Sequence, residues 1–155
     1  MTSDVTGRRA AFLATLTTAT ARATEDGSAL TLLLLDVDDF GAVDARLGPA
    51  RANTLLDGLA RRLAAAARAE DVVCRTGGDG LAAVLPGAGR AEAESLFARL
   101  QAGLRSDPPE DGPVGVSAGI ATARADERPA ELLARASEAL RTAKEAGKGT
   151  AKATP

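Results

Sequence analysis

Apolar residues recur along this chain with two periods, and the switches between them mark its elements. From Gly7 to about Ala23 the spacing is helical, with Phe12, Leu13 and Leu16 on one side and Glu25-Asp26-Gly27-Ser28 as a stop. Ala29 to Val37 reads as a buried strand. Gly48-Pro49 opens a second helix, in which Leu55, Leu56, Leu59 and Leu63 share a face and Arg68 marks the far end. Val72 to Arg75 and Leu81 to Leu85 flank Thr76-Gly77-Gly78-Asp79, and a Gly-Gly turn between short apolar runs predicts a β-hairpin. Helical spacing returns from Arg90 to Arg105 with Leu96, Phe97, Leu100 and Leu104. After the loop from Asp107 to Pro113, Val114, Val116, Ala118 and Ile120 alternate as a half-buried strand. Pro129 begins a last helix with Leu132, Leu133, Ala136, Ala139, Leu140 and Ala143 on one face, ending near Gly147.

Setting the first helix aside, the order is strand, helix, strand, strand, helix, strand, helix, which contains a split βαβ unit. The expected class is α/β (α+β), with a four- or five-stranded mixed sheet. The length of 155 residues suits a single domain, placed at residues 1–150, with residues 151–155 as a polar tail expected to fray.

Composition narrows the chemistry. The 19 basic and 21 acidic residues leave a formal charge of −2, so no broad basic field exists for a nucleic acid backbone. Nucleic acid is not an expected partner. Cys74 stands alone and histidine is absent, which excludes disulfides and His/Cys metal sites and leaves carboxylates, the ligands of hard cations such as Mg²⁺ and Mn²⁺. No apolar run approaches the ~20 residues of a membrane-spanning helix, and the N-terminus lacks a signal pattern. A cytoplasmic protein without membrane contact is expected.

Two segments can carry chemistry. Asp36-Val37-Asp38-Asp39 puts three carboxylates at the end of the most apolar strand, where they repel unless a cation or solvent compensates. A divalent metal is one solution; a solvated strand end followed by a turn is the other. Gly77-Gly78-Asp79 lets a ligand approach the backbone beside a carboxylate, although a hairpin turn uses Gly-Gly regardless of function. In a split βαβ fold the end of the first strand and the hairpin can lie side by side, which brings Asp36 to Asp79.

Order and spacing together resemble the GGDEF, or diguanylate cyclase-like, domain family. Asp36-Val37-Asp38-Asp39-Phe40 is similar to the family's Asp-x-Asp-x-Phe segment and Arg75-Thr76-Gly77-Gly78-Asp79 to its signature hairpin. Asp4-Val5-Thr6-Gly7 resembles its opening motif, Val116 to Ala121 its Ser-x-Gly strand, and Ala136 to Lys148 its closing helix. The resemblance implies the ferredoxin-like βαββαβ core of GGDEF domains and nucleotidyl cyclases, with extra N- and C-terminal helices. It also implies condensation of two GTP molecules into cyclic di-GMP by a homodimer. Carried over by position, Asp36, the Val37 carbonyl and Asp79 hold Mg²⁺ or Mn²⁺, with Asp36 and Asp79 also catalytic. Phe40, Gly41, Gly77, Gly78, Lys144 and Lys148 surround the nucleotide, and Asp44 and Asn53 face its base. Arg68 and Asp71 match the family's Arg-x-x-Asp inhibitory site for cyclic di-GMP; a four-residue charge pattern at a helix end is the alternative.

The resemblance fails at specific positions. The fourth signature residue, normally Glu, is Gly80, and the fifth, normally Phe, is Leu81. The Lys that follows the strand-end Phe is Gly41, and the base-reading Asn and Asp are exchanged as Asp44 and Asn53. Loss of a carboxylate weakens a metal site and loss of a cation weakens triphosphate binding. Asn also presents a donor as well as an acceptor, so another NTP becomes a candidate beside GTP. The expectation is a noncanonical nucleotide-binding protein with a rewritten site, possessing weak or no diguanylate cyclase activity. Alternatives are a metal-dependent cyclase or phosphate-displacing enzyme of altered substrate, a residual diguanylate cyclase, and a non-catalytic interaction module.

Overall fold

A computed structural model describes residues 2–155, with side chains from Val5 onward. Helix α1 (Thr2–Asp26) leads into β1 (Leu30–Val37), followed by α2 (Phe40–Leu47), α3 (Pro49–Ala66), β2 (Val72–Arg75) and β3 (Gly80–Pro86). Then come α4 (Arg90–Ser106), β4 (Val116–Thr122), α5 (Pro129–Glu145) and β5 (Ala151–Ala153). The five strands form one mixed sheet in the order β2-β3-β1-β4-β5. Strand β1 is antiparallel to both β3 and β4, β2 is antiparallel to β3, and β5 is parallel to β4.

Central position explains the nearly continuous apolar sequence of β1, broken only by Thr31 before it turns acidic at Asp36, because both of its faces are covered. Leu33, Leu35 and Val37 pack with Leu55, Leu59 and Leu63 of α3 and Leu96, Phe97 and Leu100 of α4. Leu30, Leu32 and Leu34 pack on the other face with Phe12 and Leu16 of α1 and Leu132 and Ala136 of α5. The period-2 geometry of a strand assigns alternate leucines to the two cores. No described helix is long and apolar enough to cross a membrane.

Four expectations need correction. Strand β4 is buried on both faces from Val116 to Ala121, whereas alternation predicted a half-buried strand. Small residues hid the second face: a Cβ on Gly119 would lie 2.2 Å from the Ala136 carbonyl oxygen and 2.3 Å from the Leu140 nitrogen, so α5 rests directly on the strand. The C-terminal segment is a sheet edge: the Ala118 N–H donates to Thr150 at 2.9 Å and the Thr154 N–H to Ile120 at 3.0 Å. An unpaired chain end finds hydrogen-bond partners along β4, which composition does not reveal. Helix α2 was not anticipated, although Phe40, Val43 and Leu47 pack against the α3/α4 core. Leu13 is exposed, and only Phe12 and Leu16 of that trio are buried.

The backbone contacts at Gly119 cannot be relieved by turning a side chain. Gly119→Ala is therefore expected to destabilise the fold by about 3 kcal/mol through overpacking, read as a lower urea midpoint. An unchanged midpoint would mean that α5 can move away from β4 at no cost.

Candidate functional site at the end of the central strand

Strand β1 delivers Asp36 where the sheet meets solvent, paired across the ladders with Gly80 of β3 and Ser117 of β4. Thr76 closes the β2–β3 hairpin by donating its N–H to the Gly80 carbonyl at 3.1 Å, which leaves Gly77, Gly78 and Asp79 as the loop. Asp36, Thr76, Gly78, Asp79 and Gly80 line one cavity of about 330 Å³, closed by Arg9 of α1 and Ser137 of α5. The juxtaposition of Asp36 with Asp79 expected from the sequence is therefore present.

The carboxylates at the end of β1 have separate partners. Asp36 accepts a hydrogen bond from the Lys144 ammonium, and Asp39 accepts one from Lys148. Asp38 instead accepts from the Ser117 hydroxyl at 2.6 Å and from the Gly149 N–H at 3.0 Å, tying the loop after α5 to the end of β1. Backbone geometry presents Lys148: it has φ +66° between Gly147 and Gly149, both also at positive φ. The loop is fastened to α5 by the Lys148 N–H donating to Ala143 at 3.2 Å.

Burial raises the Asp36 pKa above the usual carboxylate value. The Lys144 hydrogen bond opposes that shift, while the neighbouring charges of Asp79 and Asp38 add to it. No group of three or more Asp, Glu or Cys among the described residues is arranged as a complete metal cage. Two carboxylates in one cavity still suit Mg²⁺ or Mn²⁺, because such ions are often held by one or two carboxylates together with substrate phosphates and water.

The two signature glycines do different work. At Gly77, with φ +110°, a Cβ would lie 2.9 Å from the Val5 carbonyl oxygen and 3.0 Å from Arg9 Cβ, so its bareness accommodates α1. A Cβ on Gly78 would meet nothing within 4 Å, and the same is true at Gly41, which is exposed at the start of α2. Phe40 anchors that helix against the core, and Val37 is the buried last residue of β1.

Asn53 and Asp44 lie on α3 and α2. Arg75 donates to Asn53 Oδ1 at 2.6 Å and to Asp57 Oδ1 at 2.9 Å, and Arg8 reaches the same Asn53 oxygen at 3.4 Å. The Arg75 side chain is only 9% exposed, so this knot joins α1, α3 and the hairpin. Guanidinium groups only donate; the Asn53 carbonyl must therefore face them and its amide N–H groups remain for another partner.

Arg68 falls in the loop beyond α3 rather than at its end. Its guanidinium donates to Asp71 Oδ1 and to the Pro86 carbonyl, each at 2.8 Å, and its backbone N–H donates to Asp71 Oδ2 at 2.8 Å. Thus Arg68 and Asp71 bind one another, on the rim of a 220 Å³ cavity shared with Glu92, Ser95 and Arg99. Sequence inspection missed Arg9, Thr76, Ser117 and Ser137 at or beside the main site. Thr76 lies inside the signature hairpin, where its hydroxyl was the available signal, whereas Arg9 and Ser137 arrive from distant helices.

A sequence model of the GGDEF family, described as "Diguanylate cyclase, GGDEF domain", matches residues 4–150. Diguanylate cyclase TpbB of Pseudomonas aeruginosa is 34% identical over 149 residues, which cover 92% of this chain and 34% of TpbB. The chain spans about a third of the length of that curated relative. The crystal structure of the GGDEF domain of PA1120 (YfiN or TpbB) from the same organism superposes with a TM-score of 0.84 at 32% identity, covering 95% of both chains. The GGDEF domain of DgcB from Caulobacter crescentus, in complex with c-di-GMP, shares the fold with a TM-score of 0.84 at 24% identity, covering 94% of this chain and 89% of that one. On the family match and the identity to TpbB, this chain belongs to the GGDEF domain family.

Proposed function

We propose that this domain binds a nucleoside triphosphate with Mg²⁺ or Mn²⁺ at the end of β1 in the cytoplasm, and that it converts GTP to cyclic di-GMP weakly. The observation that carries this reading is the partly buried Asp36 carboxylate, which shares a cavity with Asp79 and has Lys144 as its cationic partner. Asp36, Asp79 and the Val37 carbonyl would hold the metal, with Lys144, Lys148, Gly78 and the backbone at Phe40 and Gly41 toward the phosphates. The bound cation would neutralise phosphate charge and polarise the phosphoryl group.

Electrostatics supports binding of metal and nucleotide as a pair. Lys144 and Lys148 already neutralise Asp36 and Asp39, so a cation alone competes with lysine and a phosphate alone competes with carboxylate. A metal–nucleotide complex supplies a replacement for each partner at once. Weak use of GTP follows from Gly80, Gly41 and the base-facing pair. A guanine edge offers N–H donors, which a carboxylate would accept; Asn53, with its carbonyl committed to Arg75 and Arg8, offers donors instead.

A second reading concerns cyclic di-GMP at Arg68 and Asp71. It is favoured by the convergence of the Arg68 and Arg99 side chains on one small cavity, with Asp71 holding Arg68 in place. The DgcB domain was crystallised with this dinucleotide, although the likeness to it establishes only the fold.

The raised pKa of Asp36 means that its ionised form is less favourable in the folded than in the unfolded chain, so at pH 7 the charge lowers stability. Asp36→Asn should therefore raise the Tm of the ligand-free protein while abolishing calorimetric binding of Mn²⁺ with nucleotide, and Asp79→Ala should also weaken that binding. Retention of full binding by both variants would remove the site. Cyclic di-GMP formation from GTP should be about 10²- to 10³-fold below that of a family member with an intact signature, by the scale of losing one preorganised charged group. Robust turnover would overturn the noncanonical reading. At the second site, Arg68→Ala should cost about 1.5–3 kcal/mol of cyclic di-GMP affinity. Absence of binding by the parent at high micromolar ligand would reject that site.

A further inference from the structure

We propose that the Thr76 hydroxyl supplies an additional protein oxygen to the divalent cation held by Asp36, the Val37 carbonyl and Asp79, in the place where position 80 has no side chain. This inference rests on the metal–nucleotide reading above and adds to it a hairpin residue to which the family resemblance gave no role. The case begins with register. Thr76 and Gly80 face each other across the mouth of the hairpin, joined by the 3.1 Å hydrogen bond from the Thr76 N–H to the Gly80 carbonyl. Gly80 in turn pairs with Asp36 on β1. Thr76 directly follows β2 and continues its register opposite Gly80, and residues opposite one another in a ladder project to the same face, so Thr76, position 80 and Asp36 form a row at the end of the sheet.

The middle of that row is bare, and the Thr76 hydroxyl leans into the gap. A Cβ on Gly80 would lie 2.6 Å from Thr76 Oγ1 and 3.7 Å from Asp36 Oδ1. The start of any side chain at position 80 would therefore occupy space now bordered by the threonine oxygen on one side and the Asp36 carboxylate on the other. Thr76, Asp36 and Asp79 also line the same cavity.

A hydroxyl is a neutral, hard oxygen donor of the kind that Mg²⁺ and Mn²⁺ accept, as in nucleotide-binding loops where a Ser or Thr holds Mg²⁺ beside the phosphates. Replacing a carboxylate by a hydroxyl preserves an oxygen but removes a negative charge. The cation is consequently held less by the protein alone and more by the triphosphate. Gly80 and Thr76 thus form a linked pair: any Cβ at position 80 would press on the hydroxyl and turn it out of the gap.

The test measures Mn²⁺ affinity by electron paramagnetic resonance on the full chain, with each of the four ribonucleoside triphosphates present. Thr76→Val keeps the β-branched shape and deletes the hydroxyl; it should weaken Mn²⁺ by about tenfold with no change in Tm, while Thr76→Ser should retain parental affinity. Thr76→Cys should shift preference from Mn²⁺ toward Cd²⁺, a soft-metal signature that a purely structural threonine would not produce. In a Gly80→Glu background, Thr76→Val should have no further effect. If the parent binds Mn²⁺ with nucleotide and Asp36→Ala abolishes it, but Thr76→Val binds like the parent, this inference fails and the metal–nucleotide reading stands. If the parent binds no Mn²⁺ with any of the nucleotides, both fail. Should Thr76→Val not fold, unchanged metal preference in Thr76→Cys overturns the inference by itself.

Discussion

Enclosure of β1 on both faces is the constraint on which the other arrangements depend. Leucines from Leu30 to Leu35 occupy two cores in alternation, and the strand turns acidic at Asp36 as it leaves them. A strand so enclosed has little freedom to slip, because a shift of one residue would exchange its faces and carry Asp36 to the opposite side. The same packing that stabilises the sheet therefore positions the carboxylate. Its cost is visible in the raised pKa of Asp36, and Lys144 at the end of α5 offsets part of it.

Helix α5 links that core to the site. Its middle, at Ala136 and Leu140, rests on β4 at Gly119, and its C-terminal end delivers Lys144 and the loop carrying Lys148. Asp38, Ser117 and the Gly149 N–H then lock the loop against the sheet. Packing at one end of the helix and charge pairing at the other are thus parts of one support. The bare positions of the hairpin are used just as specifically: α1 backbone fills the space at Gly77, and the Thr76 hydroxyl borders the space at Gly80.

Much of the architecture was legible because long periodic segments report burial directly. The leucine run of β1, the spaced leucines of α3 and the Gly-Gly turn each have few structural solutions, and the observed elements fall where those patterns place them. Short or small-residue elements were not legible for equally physical reasons. Eight residues of α2 contain too few apolar positions to define a face, β5 exists only because β4 offers partners, and Gly119 hides its burial by having no side chain.

For the site, the sequence by itself determined the available chemistry: oxygen ligands rather than imidazole or a thiolate cluster, Lys144 and Lys148 near the C-terminus, and glycine at positions 41 and 80. It also indicated that Asp36 and Asp79 meet, since strand order in a split βαβ fold constrains which segments become neighbours. Only the tertiary structure decided the partners. Lys144 pairs with Asp36 from 108 residues away, Asn53 turns its carbonyl to Arg75 and Arg8, and Arg68 and Asp71 bind each other. These choices depend on the distance and direction of side chains brought together by packing, and those quantities come into existence only when the two cores around β1 have closed.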